Sequence, residues 1–229
     1  MRDARDRPFR PPTAVKEPEE THYWRIDNWF SDLNPAIRAK LKLYHSELLT
    51  FNGRMSLISP RTEKAADLIH IADGILGSRI VGARLKVKEI FDLGSGNGVP
   101  GIVFATMFPD RMVRLVEADG RKIEFLKHCI GKLELKNCST VHARLEDLKE
   151  GVIKAAMTRG LATISKALLL TRRCAANGCD FFHFKGQSWS KEVAEIPSQV
   201  LASWDPLHGG DYTLPEDGPV MTIVITARK

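Results

Sequence analysis

The 229-residue chain has no run of eighteen apolar residues, so no segment of it reads as a membrane-spanning helix. Its first twenty residues, MRDARDRPFRPPTAVKEPEE, hold no apolar signal core, and the expected location is the cytoplasm. Five bases and five acids share that segment with little to bury, which reads as a flexible tail over residues 1–20. Cysteine is sparse. Cys129, Cys138, Cys174 and Cys179 form no CxxC pair and no zinc spacing, and read as reduced thiols. A disulfide framework is not expected at this length. His128, Cys129 and His142 lack the remaining members of a ligand set, so no metal site is expected. There is no internal repeat.

What is present suits one domain with an extension. Hydrophobic residues make up 43%, enough for a substantial core, and the formal charge is +6. A basic excess of that size permits a polyanionic partner without requiring one. Residues 21–83 read as a helical extension. Asn34 is placed to cap a helix with Pro35 in its first turn, and Ile37, Leu41, Tyr44 and Leu48 share one face. Ser59-Pro60 repeats that start signal and predicts a second helix to Gly77, with His70 and Asp73 on one face as a structural pair. From Arg84 the pattern turns to alternating strands and helices. KEIFDLG, RMVRLVEAD, CSTVHAR, KAAMTRG and CDFFHFKG read as strands, with helices over GIVFATMFP, GRKIEFLKHCIGKLEL and 161–176. SQVLASWDPL and VMTIVITARK read as two final strands in an antiparallel hairpin. The expected architecture over 84–229 is a doubly wound, Rossmann-like α/β fold. Its seven-stranded sheet is mostly parallel, with an antiparallel edge strand.

The first strand runs into Asp92-Leu93-Gly94-Ser95-Gly96-Asn97-Gly98-Val99-Pro100-Gly101. A P-loop would continue with Gly-Lys-Ser/Thr, and none follows. A GxGxxG dinucleotide loop would need glycine where Val99 stands. Together with the final hairpin, this speaks against a nicotinamide dehydrogenase. Glycines at 94, 96 and 98 behind an acid give the spacing of S-adenosylmethionine (SAM) sites. That ligand carries a sulfonium cation and no phosphate. Glycines let backbone approach it closely, and Asp92 suits its positive charge. Glu117 ends the next strand, where an acid in a doubly wound sheet accepts hydrogen bonds from ribose. A carboxylate can take both hydroxyls at once. Leu145 and Glu146 follow the third strand and border the expected adenine position. Arg159 ends the fourth.

These motifs resemble those of the ribosomal RNA small-subunit methyltransferase G family, also called glucose-inhibited division protein B. The resemblance runs from about residue 40 to the C-terminus. DLGSGNGVPG is its most specific element, because the Pro-Gly after the third glycine is not general to methyltransferases. FNGRMSLIS, HIADG, ADGRKIEFL, MTRGLATI and FKGQ are similar to further family segments. Phe51 stands for a tryptophan, Gly53 for a basic residue, Ser56 for an asparagine, Gly74 for a serine and Glu117 for an aspartate. The resemblance implies SAM-dependent methylation of guanine N7 in 16S ribosomal RNA of the small subunit. It also implies cofactor contacts at Gly94, Val99, Leu145, Glu146 and Arg159. Asp92, Ser95, Gly96, Gly98 and Glu117 join these on the physical argument.

N7 of guanine carries an in-plane lone pair and no proton, so no general base is required. A donor to guanine O6 is expected from Arg159 or Lys185. Arg54, Arg121, Lys122, Arg144 and Lys185 form the expected RNA-facing set. Arg121 and Lys122 open a helix, where positive charge opposes the dipole and favours a phosphate role. A monomer is expected. The alternatives are a SAM methyltransferase for a small molecule or protein, which predicts no salt-sensitive RNA binding, and a non-catalytic RNA-binding module, against which the complete loop argues.

Overall fold

The computed structural model describes residues 24–229, so the expected tail over 1–20 lies outside the described residues. The described chain opens with α1 (Ile26–Trp29) and α2 (Pro35–Met55). The Asn34 side chain accepts the Ala36 N–H, and Pro35 occupies the first turn. α2 closes on Ser56, whose backbone is left-handed at φ 50°. Asparagine, which stands there in the family segment, tolerates that region better than most residues.

Ser59 caps α3 (Pro60–Glu63) by accepting the Arg61 N–H. The single helix expected from here to Gly77 is not what forms. A π-helical stretch, Asp67–Ala72, leads into α4 (Asp73–Arg84), which continues seven residues past Gly77. Gly77 serves packing rather than termination. A Cβ on it would lie 2.1 Å from Cε1 of Phe184, so only glycine lets α4 lie this close to the sheet.

The α/β portion runs β1 (Glu89–Leu93), α5 (Gly101–Met107), β2 (Met112–Glu117), α6 (Gly120–Lys132) and β3 (Cys138–His142). A 3-10 turn, Leu145–Asp147, precedes β4 (Ile153–Arg159), α7 (Ile164–Thr171) and β5 (Ala175–Lys185). Two short helices, α8 (Trp189–Ala194) and α9 (Ser198–Leu201), lead to β6 (Trp204–Thr213) and β7 (Val220–Arg228). The sheet order is β3-β2-β1-β4-β5-β7-β6. Strands β1 to β5 pair in parallel, and β7 runs antiparallel to both β5 and β6. The reversed strand therefore sits one place in from the edge, while β6 at the edge runs with the parallel set. A short hairpin forces β6 and β7 to oppose each other, and it is β7 that pairs with β5.

Two further expectations shift. The helix predicted over 161–176 is only α7. Gly178, read as its stop, lies inside β5 with φ 77°. Ser198–Leu201 is helical, and the strand begins at Trp204.

The sheet is covered on both faces. One cluster joins Tyr44, Leu48 and Ile75 of the helical extension to Ile90, Leu115 and Phe182 of the sheet. The opposite cluster holds Leu93, Val116, Ile164, Phe181 and Trp204. The chain winds outward from β1 through β2 to β3, then returns to β4 on the other side of β1. The crevice at that reversal, beyond the C-terminal ends of β1 and β4, is where open α/β sheets bind ligands.

Candidate cofactor and RNA site

The glycine loop occupies that crevice. Gly94, Gly96 and Gly98 all have positive φ, at 68°, 54° and 94°. Side chains would strain all three positions. The loop closes on itself. Both the Gly94 and Ser95 amides donate to the Val116 carbonyl, at 2.9 and 3.0 Å. The Gly96 amide donates to Oε2 of Glu117 at 2.9 Å, and the Gly98 amide to the Ser95 carbonyl at 2.7 Å. The Val99 amide donates to Oδ1 of Asn97 at 3.1 Å. With these amides engaged, the loop presents bare Cα surface rather than a ring of anion-binding donors. That suits a ligand with no phosphate.

Asp92 completes the exclusion of a pyrophosphate, but not from the position expected of it. Its side chain is buried beneath the loop, 1% exposed, and Oδ2 accepts the Gly101 amide at the start of α5 at 3.1 Å. The helix end that a dinucleotide phosphate would use is thus covered by a carboxylate. Oδ1 of Asp92 is buried with no hydrogen-bond partner among the described residues. Burial pushes the carboxyl up to about 7, against the opposing effects of the Gly101 amide and the Arg159 charge. Ser95 and Val99 are also buried. Ser95 Oγ donates to the Asp92 carbonyl at 2.9 Å, so neither side chain offers a surface to a ligand.

Glu117 lies at the end of β2, half-buried and beside the loop. Oε2 holds the Gly96 amide, while Oε1 accepts the amides of Ala118 and Asp119 at 2.8 and 2.9 Å. Three of its roughly four lone-pair positions are occupied. Glu117 can therefore accept one ribose hydroxyl on Oε2, not the expected pair. The cleft above it has a volume of about 180 Å³. Its lining includes Gly94, Glu117, Arg144, Leu145, Glu146, Leu161 and Leu170. Leu145, Leu161 and Leu170 supply the apolar walls an adenine ring needs. Leu161 and Leu170 were not legible as ligand residues, although Leu161 follows Arg159 by only two positions.

Arg159 sits at the end of β4 with its guanidinium turned to the helical extension. Nη1 donates to the Ile69 carbonyl at 2.9 Å and to Oδ2 of Asp73 at 3.1 Å. Nη2 lies 2.7 Å from Nδ1 of His70. Because arginine only donates, Nδ1 is the acceptor. The imidazole is neutral, with its proton on Nε2 facing Thr62 Oγ1 at 3.3 Å. Burial, and then the Arg159 charge, lowers His70 to about 3. His70 and Asp73 are thus joined through Arg159 rather than to each other. A residue missed by sequence reasoning, Tyr212 on β6, donates to Oδ1 of Asp73 at 2.8 Å. Tyr44, read only as a core residue of α2, also reaches the site, where its hydroxyl donates to the Asn97 carbonyl in the glycine loop.

The expected RNA-facing residues divide. Arg54 and Arg144 are exposed. Arg121 is 64% exposed, with Nη2 3.8 Å from Oδ2 of Asp119. Lys122 is half-buried. Oδ1 of Asp119 accepts the amides of both Arg121 and Lys122, so a carboxylate at the helix start offsets the dipole cost. Lys185 departs from expectation. Its Nζ donates to Oε2 of Glu192 at 2.7 Å and to the Ala162 carbonyl at 2.9 Å. That ion pair fixes α8 against the start of α7, where the same Glu192 oxygen accepts the Ile164 amide at 3.0 Å. Its charge is spent inside the fold and is not presented to a base.

Residues 37–204 match the family described as rRNA small subunit methyltransferase G. The chain belongs to that family. It is 44% identical over 205 residues to ribosomal RNA small subunit methyltransferase G 3 of Bdellovibrio bacteriovorus, covering 89% of this chain and 93% of the relative. A relative from Halorhodospira halophila, ribosomal RNA small subunit methyltransferase G, is 28% identical over 79% of this chain and 85% of its own. Among solved structures, cofactor-bound Rv0187 from MTB has a TM-score of 0.56 at 14% identity, covering 89% of this chain and 94% of its own. A SAM-dependent methyltransferase from Aquifex aeolicus has a TM-score of 0.55 at 13% identity, covering 75% of this chain and all of its own. At such identities the likeness establishes the Rossmann-like class I methyltransferase fold. Membership makes SAM the cofactor of this methyltransferase, and the residues present fit it. The cleft offers one free acceptor for ribose, three leucines for adenine and no phosphate-binding amides. The buried carboxylate of Asp92 lies below the loop. Among the described residues no group of three or more His, Cys, Asp or Glu side chains could hold a metal, and no helix is long and apolar enough to cross a membrane. The four cysteines are free and buried.

Proposed function

We propose that this chain transfers a methyl group from SAM to N7 of one guanine in 16S ribosomal RNA of the small subunit, acting as a monomer in the cytoplasm. The observation that carries the cofactor site is the loop of three left-handed glycines closed onto Glu117, which spends its amides internally. Family membership and the net charge of +6 support the RNA substrate.

Bound SAM supplies an electrophilic methyl group on its sulfonium. Glu117 orients the ribose through its remaining lone pair, and Leu145, Leu161 and Leu170 pack the adenine. Gly94 and Gly96 let the backbone approach the cofactor, and Arg159 stands at the loop's side as a fixed cation. Among the described residues no free side chain stands as a base, and none is needed, since guanine N7 has no proton to lose. His70 is neutral but already accepts from Arg159, and Asp92 is shut beneath the loop. Rate enhancement then comes from alignment, worth up to about 7–11 kcal/mol in favourable cases. Unstacking the guanine costs a few kcal/mol and is offset by binding the RNA.

The test uses purified protein, radiolabelled SAM and small subunits from cells lacking the enzyme. Reduction and aniline cleavage then report N7-methylguanine. One cleavage site is the expected result. No incorporation, with SAM binding intact by calorimetry, would turn the search to a small-molecule or protein substrate.

A further inference from the structure

Beside the cofactor cleft lies a second, larger one of about 430 Å³, lined by Glu146, Lys166, Leu169, Leu170, Arg172 and Arg173. Glu146 and Leu170 line both clefts, so the two are contiguous at the adenine end. Lys166, Leu169, Leu170 and Arg173 follow an i, i+3, i+4, i+7 pattern, one continuous face along and just past α7. Lys166 and Arg172 are exposed, and neither side chain makes a hydrogen bond or ion pair among the described residues.

We infer that this cleft is a docking surface for the phosphate backbone of the RNA substrate, an inference that rests on the RNA reading above. The cofactor does not account for its charge, because adenine and ribose bring no anion to that end. Helix electrostatics account for only part of it. Arg172 and Arg173 sit at the C-terminal end of α7, where cations are favoured, but Lys166 lies in the first turn, where the dipole opposes it. A lysine there gains from an external anion. Arg173 is also braced, and the backbone of Arg172 is fixed. Arg173 Nη2 donates to the carbonyls of Glu146 and Leu148 at 3.2 and 3.4 Å. Arg228, stacked over Trp204, donates to the Arg172 carbonyl. Lys166, Arg172 and Arg173 thus line one cleft, and exposed Leu169, at 46%, adds an apolar contact for a sugar or base. Contacts of this kind fix the register of a nucleic acid without reading its sequence.

The experiment compares wild type with the double variant Lys166→Gln/Arg172→Gln. SAM affinity is measured by calorimetry. Affinity for protein-free small-subunit RNA is measured by filter binding across a salt series. The expected result is unchanged SAM affinity and thermal midpoint, at least tenfold weaker RNA binding, and a salt slope shallower by about 1.4, from about 0.7 per single-strand phosphate. The charge-reversed pair Lys166→Glu/Arg172→Glu should weaken RNA binding further. Unchanged RNA affinity and slope in both variants, beside a salt-sensitive wild type, would overturn the docking surface and leave the RNA reading standing. A wild type with a flat salt response would overturn both. Loss confined to intact subunits, with protein-free RNA unaffected, would overturn it too and assign the face to a ribosomal protein.

Discussion

Nη1 of Arg159, at the end of β4, stands 3.1 Å from Oδ2 of Asp73, at the start of α4, and Asp73 is 1% exposed. The pair bolts the helical extension to the rim of the cofactor crevice. Truncating Asp73 leaves a mostly buried guanidinium without its counter-charge, which costs about 3–5 kcal/mol. Asp73→Ala should lower the melting midpoint by roughly 6–20 °C, at about 2–4 °C per kcal/mol for a chain of this size. Tyr212→Phe, which removes only the donor to the other oxygen, should cost less, about 1–3 kcal/mol. Scanning calorimetry checks both. A wild-type midpoint for Asp73→Ala would show that the pair carries no stability.

Glu117 holds three backbone amides and retains one acceptor position. Its loss should therefore act on the fold as well as on SAM. Glu117→Ala is expected to weaken SAM binding at least tenfold and to destabilise the apo-protein by about 1.5–3 kcal/mol, the range for hydrogen bonds to a charged group. Glu117→Gln, whose carbonyl oxygen still accepts but whose NH2 cannot, should fall between. Calorimetric titration with SAM and denaturant unfolding of the apo-protein separate the two effects. Unchanged SAM affinity would remove Glu117 from the ribose site.

The loop glycines should fail in different ways. A Cβ at Gly96 meets only the Gly94 carbonyl oxygen, at 3.7 Å, so Gly96→Ala pays the left-handed backbone penalty of about 1–2 kcal/mol and intrudes on the ligand side. At Gly98 a Cβ meets Cδ1 of Ile102 at 2.7 Å and the Tyr44 hydroxyl at 3.0 Å. Gly98→Ala should therefore unfold at clearly lower denaturant than Gly96→Ala, while both bind SAM more weakly. Equal unfolding midpoints would contradict this division.

Asp92 gives the fold a pH dependence of defined sign. Its folded value, about 7, is raised from 3.8 by burial. The unfolded chain ionises first as pH rises, so the stability this carboxyl contributes is full below about pH 4 and is lost as pH climbs through 7. Between pH 5 and 8 the unfolding free energy of Asp92→Asn, relative to wild type, should rise by roughly 2–3 kcal/mol. Urea unfolding at several pH values measures it. A parallel pair of stability curves would place Asp92 in an ordinary environment.

Much of the α/β portion was legible because its signals are local. The apolar runs EIFDL and MVRLVE mark buried parallel strands, KAAMTR marks one more weakly, and the glycine spacing marks the turn that joins strand to helix. The errors fell where one residue type serves two purposes. Gly77 and Gly178 read as helix stops, yet one admits Phe184 against α4 and the other sits in a strand. Lys185 read as a rim cation because Glu192, seven residues on, becomes its partner only when α8 folds back. Tyr44 and Tyr212 gave no ligand-site signal, since each reaches the site from an element distant in sequence.

The sequence by itself determined the strand order's raw material, the left-handed glycine loop and the acid at the next strand end, because each rests on backbone conformation or strand periodicity confined to a few neighbouring residues. Tertiary structure alone decided how much of each charge remains for a ligand. Glu117 keeps one acceptor, Asp92 is sealed under the loop, Lys185 is neutralised, and Arg159 is gripped by His70 and Asp73. A charged group's free valence depends on every partner that packing brings within about 3 Å, and for these four the partners lie up to 90 residues away in the chain.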